Sequence, residues 1–277
     1  MAVSSSSAAA LASSLRVFLY SRDFKWAAGG WAFFIAENAI LSENRTYLIA
    51  ELGDRGYHGA YGSLSTAAMA SIGYAFYKLR KNAATGASAI IATAVPRNQL
   101  FLSWTLMTLG LSMASQVAPK MQIPVTSNLD VRCPFDFTDK RQDKPSSDAT
   151  GQVELHGLER VTRHAGLWSF ALVAAAHSGL AASRPLQVWW LGPTAVAWLG
   201  GMHTDSRFRR GMGGSLDPFY DSVTSNVPFL AMITGRQGSV SQAFTKLVED
   251  IKPLNAGIAT LIATTWIISK GRLKLRA

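Results

Sequence analysis

The chain has 277 residues and a formal charge of +10, with 48% hydrophobic and only 16% charged residues. Soluble domains carry about a quarter charged residues, so the composition argues against an ordinary water-soluble enzyme. The Lys and Arg residues stand beside apolar blocks and form no stripe interleaved with aromatics, which argues against nucleic acid as a partner.

Residues 1–22 are rich in Ser and Ala, carry Arg16 and Arg22, and precede the first acid, Asp23. They read either as an organelle transit segment or as a disordered tail at a membrane surface. A bilayer-crossing helix needs about 20 mostly apolar residues. By that measure residues 23–270 form one all-α domain, a polytopic membrane helix bundle of about six spans. The candidates are Lys25–Leu41, Gly59–Leu79, Gln99–Val117, Ala165–Ala182, Leu186–His203 and Leu254–Ser269. Their Ala and Gly content suits close helix packing.

The remaining segments are the connections. Leu41–Gly59 joins the first two spans, and His58 within it reads as a loop residue, as does His156. Ala83–Val95 is too short to span and reads as a loop or an interfacial segment. The polar stretch 119–157 mixes Pro, Ser, Asp and Lys and reads as an irregular loop; it holds the lone cysteine, Cys133, so an internal disulfide is excluded. Arg207–Lys252 is polar and Gly-rich, with an amphipathic helix expected over Ser241–Ile251. Residues 271–277 are a basic tail. An even number of spans puts both termini on one side, with the basic loop Lys78–Arg97, on the cytoplasmic, stromal or matrix face.

Titratable groups inside or at the ends of such spans are costly and are functional candidates by default. His164 and His177 bracket the fourth span, and His203 closes the fifth. His177 lies 13 residues beyond His164, roughly 20 Å along a helix. His164 follows Arg160 and Arg163, which suggests an anchor for an acidic headgroup or a carboxylate, or a helix start capped by Thr162. His203 is expected to pair with Asp205, which would fix its tautomer. Glu37, an acid within the first span, needs a partner such as His203, Arg207 or His164. Asn38 adds hydrogen-bonding capacity beside it. Arg236 is expected to meet an acid or a headgroup, and Arg207, Arg209 and Arg210 to snorkel at an interface. Asn44-Arg45-Thr46 matches a glycosylation sequon by chance. The chain has no Walker loop, dinucleotide fingerprint, zinc spacing or nucleophile elbow.

Three stretches carry a family resemblance. They are Glu37–Tyr74, with its Gly-x-Arg-x-Tyr-type loop; Arg160–His177 (RVTRHAGLWSFALVAAAH); and His203–Arg236, with HTDSRFRR and TSNVPFLAMITGR. They resemble NnrU-domain membrane proteins, among them the plastid 15-cis-zeta-carotene isomerases. The resemblance covers most of residues 26–270, with the 119–157 loop matched weakly. It implies a haem b held between membrane helices by a first-helix His and by the His at position 177. A Cys three residues before that His would be an alternative ligand. The implied substrate is zeta-carotene or a similar polyene, isomerised without net oxidation in a plastid rather than a mitochondrial membrane. In this chain the first-helix position is Glu37, the Cys position is Ala174, and Ala165 replaces the Pro after the motif His. Glu37 and His177 are thus the metal and catalytic candidates, with His164 and His203 as further cofactor-binding candidates. The readings left open are haem through His177 alone, haem through another His, or no haem.

Two functions of different class are compatible with these residues: a haem-dependent cis–trans isomerase, or a non-catalytic membrane subunit or assembly factor of an organelle complex. A carrier role in nitrogen-oxide metabolism is implied by the family's name alone. The expected partners are the lipid bilayer, a carotenoid, and other membrane-complex subunits.

Overall fold

The computed structural model describes residues 18–86, 95–117 and 155–275, with side chains to residue 270. The expectations for residues 1–17, for the segment 87–94, for most of the 119–157 loop with Cys133, and for 276–277 lie outside the described residues. Every regular element among the described residues is helical. The chain forms two compact units. One draws its described residues from Met1–Ser103, Ala174–Val196 and Ser269–Ala277; the other draws on Trp104–Val173 and Ala197–Ile268.

The first unit is built on α1 (Arg22–Glu43) and α2 (Arg45–Ala84). Ser21 caps α1 by accepting from the Phe24 amide at 3.2 Å, and Asp23 in the first turn complements the helix dipole. Asn82 donates to Asp23, Ser65 to Glu37, Tyr61 to Asn38, and Tyr57 to the Leu41 carbonyl. The partners rise along α1 as they fall along α2, so the two helices are antiparallel. Gly30 lets them approach: a Cβ there would lie 3.1 Å from the Ile72 backbone.

The connection expected over Leu41–Gly59 is helical instead, interrupted at Gly53 with φ 72 and ψ 164. Only glycine reaches that conformation without strain. His58 therefore lies on a helix, its Nδ1 2.8 Å from the Asp54 carbonyl oxygen.

The fourth span appears as α4 (Ala165–Leu180), whose residues from Ala174 onward belong to this unit. The expected fifth span is helical throughout: α5 (Arg184–Ala195) passes through a π-helical turn at Val196–Gly200 into α6 (Gly201–Arg209), with Val196 and Gly200 both in the right-handed helical conformation and Pro193 removing one helical amide donor. Ala27, Leu79 and Leu186 form the buried core here, with Trp26, Phe76 and Trp189 packed on it. Trp189 meets Phe76 and Trp31 at 4.6 and 5.6 Å and donates to the Ile72 carbonyl.

Gly192 sits against Trp31, where a Cβ would lie 2.3 Å from ring atoms. Gly192→Ala is expected to destabilise this unit by about 2 kcal/mol through overpacking. Trp31→Leu in the same chain should restore most of the loss in a thermal melt. No restoration would mean the clash is relieved some other way.

The second unit holds most of α3 (Arg97–Val117), the first part of α4, a 3₁₀ turn at Gly157–Arg160, α6, α7 (Pro218–Val223), α8 (Leu230–Ile233), α9 (Val240–Asp250) and, as far as Ile268, α10 (Pro253–Leu275). Trp104 donates to Thr264 and Asn255 to the Ser115 carbonyl, so α3 and α10 are antiparallel. Met113, Val161, Trp168, Ala197, Met232 and Leu247 form the core. Ser239 caps α9 through a capping box with Gln242. A 90° bend ahead of Pro253 separates α9 from α10.

Among the described residues α3 alone is long and apolar enough to cross a bilayer by itself, and α9 with α10 would pass as one bent span. The remaining expected spans exist as helices that are shorter, divided by a π-helical turn or more polar than that measure requires.

Candidate functional site

Two polar clusters hold several of the residues singled out by sequence. The first lies in the second unit, where three sequence motifs meet. The segment Arg160–His164 runs beside Thr224–Phe229. The Arg163 amide donates to the Ser225 carbonyl at 3.0 Å, and the Phe229 amide to the Val161 carbonyl at 2.9 Å. Thr162, 1% exposed, donates its hydroxyl to the Asn226 carbonyl. Asn226 accepts from Trp168 Nε1 at 3.0 Å and donates to the Trp198 carbonyl at 2.9 Å. Gly201 leaves room for that amide, since a Cβ there would lie 2.4 Å from its oxygen. Phe229 adopts φ 63, rare for a bulky side chain, and its ring stacks on Phe244 at 6.3 Å.

The charged centre of this cluster is Asp205, 4% exposed. Its Oδ2 accepts from Arg163 Nη2 at 2.6 Å, and its Oδ1 faces His164 Nε2 at 2.8 Å. A carboxylate can only accept, so His164 carries its proton on Nε2. Arg163 also donates to Thr224 Oγ1 at 3.0 Å and lies 2.9 Å from Asp221 Oδ1. Arg209 binds Asp221 through two bonds, of 2.6 and 2.8 Å. At the far end of the motif, Arg160 pairs with Asp250 at 3.0 Å, and Gln237 donates to the Arg160 and Val223 carbonyls.

These contacts set the carboxyl groups' acidity. Burial is the largest single influence on Asp205 and pushes its carboxyl up. The hydrogen bonds and charges of His164 and Arg163 together outweigh it and hold the group below its ordinary range. Asp221 is held down chiefly by the hydrogen bond from Arg209, against burial. Asp250 is raised by burial and lowered more by the Gly157 amide and Arg160.

Several expectations are corrected here. Asp205 orients His164, not His203: residues two apart on α6 point to different sides of the helix. The carboxylate partner expected for His164 is supplied by Asp205. Thr162 accepts the His164 amide at 3.2 Å and so closes a turn ahead of α4; it is not the N-cap of that helix, which begins at Ala165. Arg236 reaches a carbonyl, that of Thr224, at 3.4 Å. Arg209 is tied to Asp221 by two hydrogen bonds. Asp221, Thr224, Asn226 and Trp168 were missed as partners, because nothing local marks the contacts Arg163–Asp221, Arg163–Thr224 and Trp168–Asn226, made across 58 to 61 residues.

The second cluster lies in the first unit around Glu37, 6% exposed. Its Oε1 accepts from Ser65 Oγ at 3.0 Å and Asn38 Nδ2 at 2.6 Å, and Tyr61 donates to Asn38 Oδ1 at 2.7 Å. These neutral donors stand where His203, Arg207 or His164 were expected, and Glu37 Oε2 is buried with no hydrogen-bond partner. His177, in the same unit, stacks face to face on Trp190 with ring centres 4.6 Å apart. Ala174 is 1% exposed. Among the described residues no three His, Cys, Asp or Glu side chains are grouped to hold a metal ion.

A family model described as NnrU protein matches residues 27–269. No curated protein and no solved structure matches the chain.

Proposed function

The chain belongs to the NnrU family, and we propose that it is an integral membrane member serving as a non-catalytic subunit or assembly factor of an organelle membrane complex. The observation that carries this reading is the environment of Glu37. The family's isomerases use a first-helix imidazole there. Here α1 holds no histidine, and the carboxylate is engaged by Ser65 and Asn38. At the alternative ligand position Ala174 is buried and offers no donor atom. The residues present do not fit the family's haem ligand set, so no redox-linked ligand exchange is assigned to them.

The membrane reading is supported by apolar side chains turned away from the protein. On α10, Leu254 is 73% and Leu261 68% exposed; on α3, Phe101 is 67% exposed. Such helix faces are unfavourable in water and natural in lipid. About six spans remain the topology proposed. The π-helical turn at Val196–Gly200 is tolerable within a span. A plastid membrane is the location that the family resemblance favours.

A second reading rests on the buried, unpartnered Oε2 of Glu37. A buried carboxylate oxygen in that state suits a metal, and it keeps the isomerase function in contention, with His177 as the imidazole donor.

One experiment separates the readings. Protein expressed with ample haem and purified in mild detergent is expected to show no Soret band, and to migrate on native gels in a complex larger than its own 29.8 kDa when taken from its source membrane. A Soret band that shifts on reduction and vanishes in His177→Ala would overturn the non-catalytic reading. The carotenoid isomerisation assay would then be the next step.

A further inference from the structure

We propose that the cleft between the start of α1 and the end of α2 seats the phosphate of an anionic phospholipid headgroup. The cleft has a volume of about 110 Å³ and is lined by Arg22, Asp23, Trp26, Lys78 and Asn82. That is room for a small polyatomic group, since one liquid water takes roughly 30 Å³.

Its charges favour an anion. Asp23 is engaged, with Oδ1 accepting from Asn82 Nδ2 at 2.9 Å. Neither Arg22 nor Lys78 has a carboxylate at ion-pair distance among the described residues. Two cations face one hydrogen-bonded carboxylate, so the walls are net positive. Lys25, Arg80 and Lys81 on the same two helix ends add to the field.

Its aromatic content favours a lipid as the source of that anion. The Lys78 ammonium lies over the Tyr74 ring at 5.6 Å, and Tyr74 meets Trp26 edge-on at 5.3 Å. Tyr20 and Tyr77, at the same end of the helix pair, are 75% and 60% exposed. Trp and Tyr collect at headgroup depth, and basic side chains collect on the side facing anionic lipid. The cleft therefore opens where lipid phosphates lie.

This inference rests on the membrane reading, which has its own test: the protein should resist alkaline carbonate extraction. With embedding so established, native mass spectrometry of the full chain in detergent would be run with phosphatidylglycerol or phosphatidylcholine added at equal concentration. The wild type is expected to retain one phosphatidylglycerol about tenfold more strongly than phosphatidylcholine. Arg22→Gln/Lys78→Gln should abolish that preference. Lys246→Gln, which removes an exposed charge on α9, outside the cleft, should preserve it. Lys78→Gln alone should show an intermediate loss, and it serves should the double variant fold poorly. Equal retention of both lipids, or an unchanged preference in the double variant, would overturn the site while leaving membrane embedding intact. Displacement of the lipid by millimolar inorganic phosphate would assign the cleft to free phosphate and overturn the lipid source.

Discussion

Asp205→Asn is expected to destabilise the second unit by about 3 kcal/mol, the lower end of the range for removing one partner of a buried ion pair. Arg163 is held on one side by Asp205 and on the other by Asp221 and Thr224. The asparagine keeps the shape but removes the charge, so Arg163 keeps one acidic partner instead of two. The His164 N–H would still find an oxygen, now a neutral and weaker acceptor.

The same change should alter the response to acid. Asp205 and Asp221 are both held below the ordinary carboxyl range in the folded chain. A depressed folded value means that the stabilisation is complete above the unfolded value, near 3.9. It is then lost as pH falls through the folded value. Melting temperatures of the detergent-solubilised protein should be level from pH 7 to about 5 and drop steeply below 4. Asp205→Asn should lower the plateau and make that drop shallower. A variant melting with the wild type at every pH would remove Asp205 from the centre of the cluster.

That cluster shows where sequence reading succeeds and where it stops. The helices over Lys25–Leu41, Gln99–Val117, Ala165–Ala182 and Leu254–Ser269 were legible because their apolar runs are long and lightly charged. The amphipathic α9 was legible from its periodicity. The helical stretch Arg45–Leu52 was not, because Glu43, Arg45 and Glu51 weigh against a span, and a helix too polar to span a membrane leaves no apolar run to mark it. Exposure resolves this: Tyr47 and Leu52 are 64% and 53% exposed, so the segment forms a helix without a buried face. The helix over Leu186–His203 was legible from its hydrophobicity despite Pro193, whereas the π-helical turn at Val196–Gly200 was not, because no residue type marks it. His164 and Asp205 were both legible as candidates, yet their pairing was not, since 41 residues separate them and His203 is the nearer imidazole in sequence. Glu37 was recognised as an acid out of place, whereas Ser65 and Tyr61, ordinary helix residues, gave no sign that they would hold it.

Gly110→Leu is expected to prevent the second unit from folding, and Gly110→Ala to cost about 2 kcal/mol net of the helix propensity gained. Gly110 lies where α3 crosses α4. A Cβ there would stand 2.8 Å from the Ser169 carbonyl oxygen and from Val173 Cγ2, and 2.9 Å from the Val173 nitrogen. Two of those three atoms belong to the α4 backbone, so no rotamer change makes room and the helices would have to separate. This differs from Gly192, whose obstacle is one removable indole. Val173→Ala deletes the offending methyl but leaves the backbone atoms in place. The double variant Gly110→Ala/Val173→Ala should therefore melt no higher than Gly110→Ala. Full recovery in the double variant would locate the clash in the side chain and show that the backbones tolerate a methyl between them. Separation of α3 from α4 would also disturb Trp168, which sits on α4 one residue before Ser169 and anchors Asn226 at 3.0 Å. Indole fluorescence of Gly110→Ala should therefore change together with the melt. A fluorescence spectrum that stays native while stability falls would mean that the polar cluster is fixed independently of how closely α3 and α4 pack.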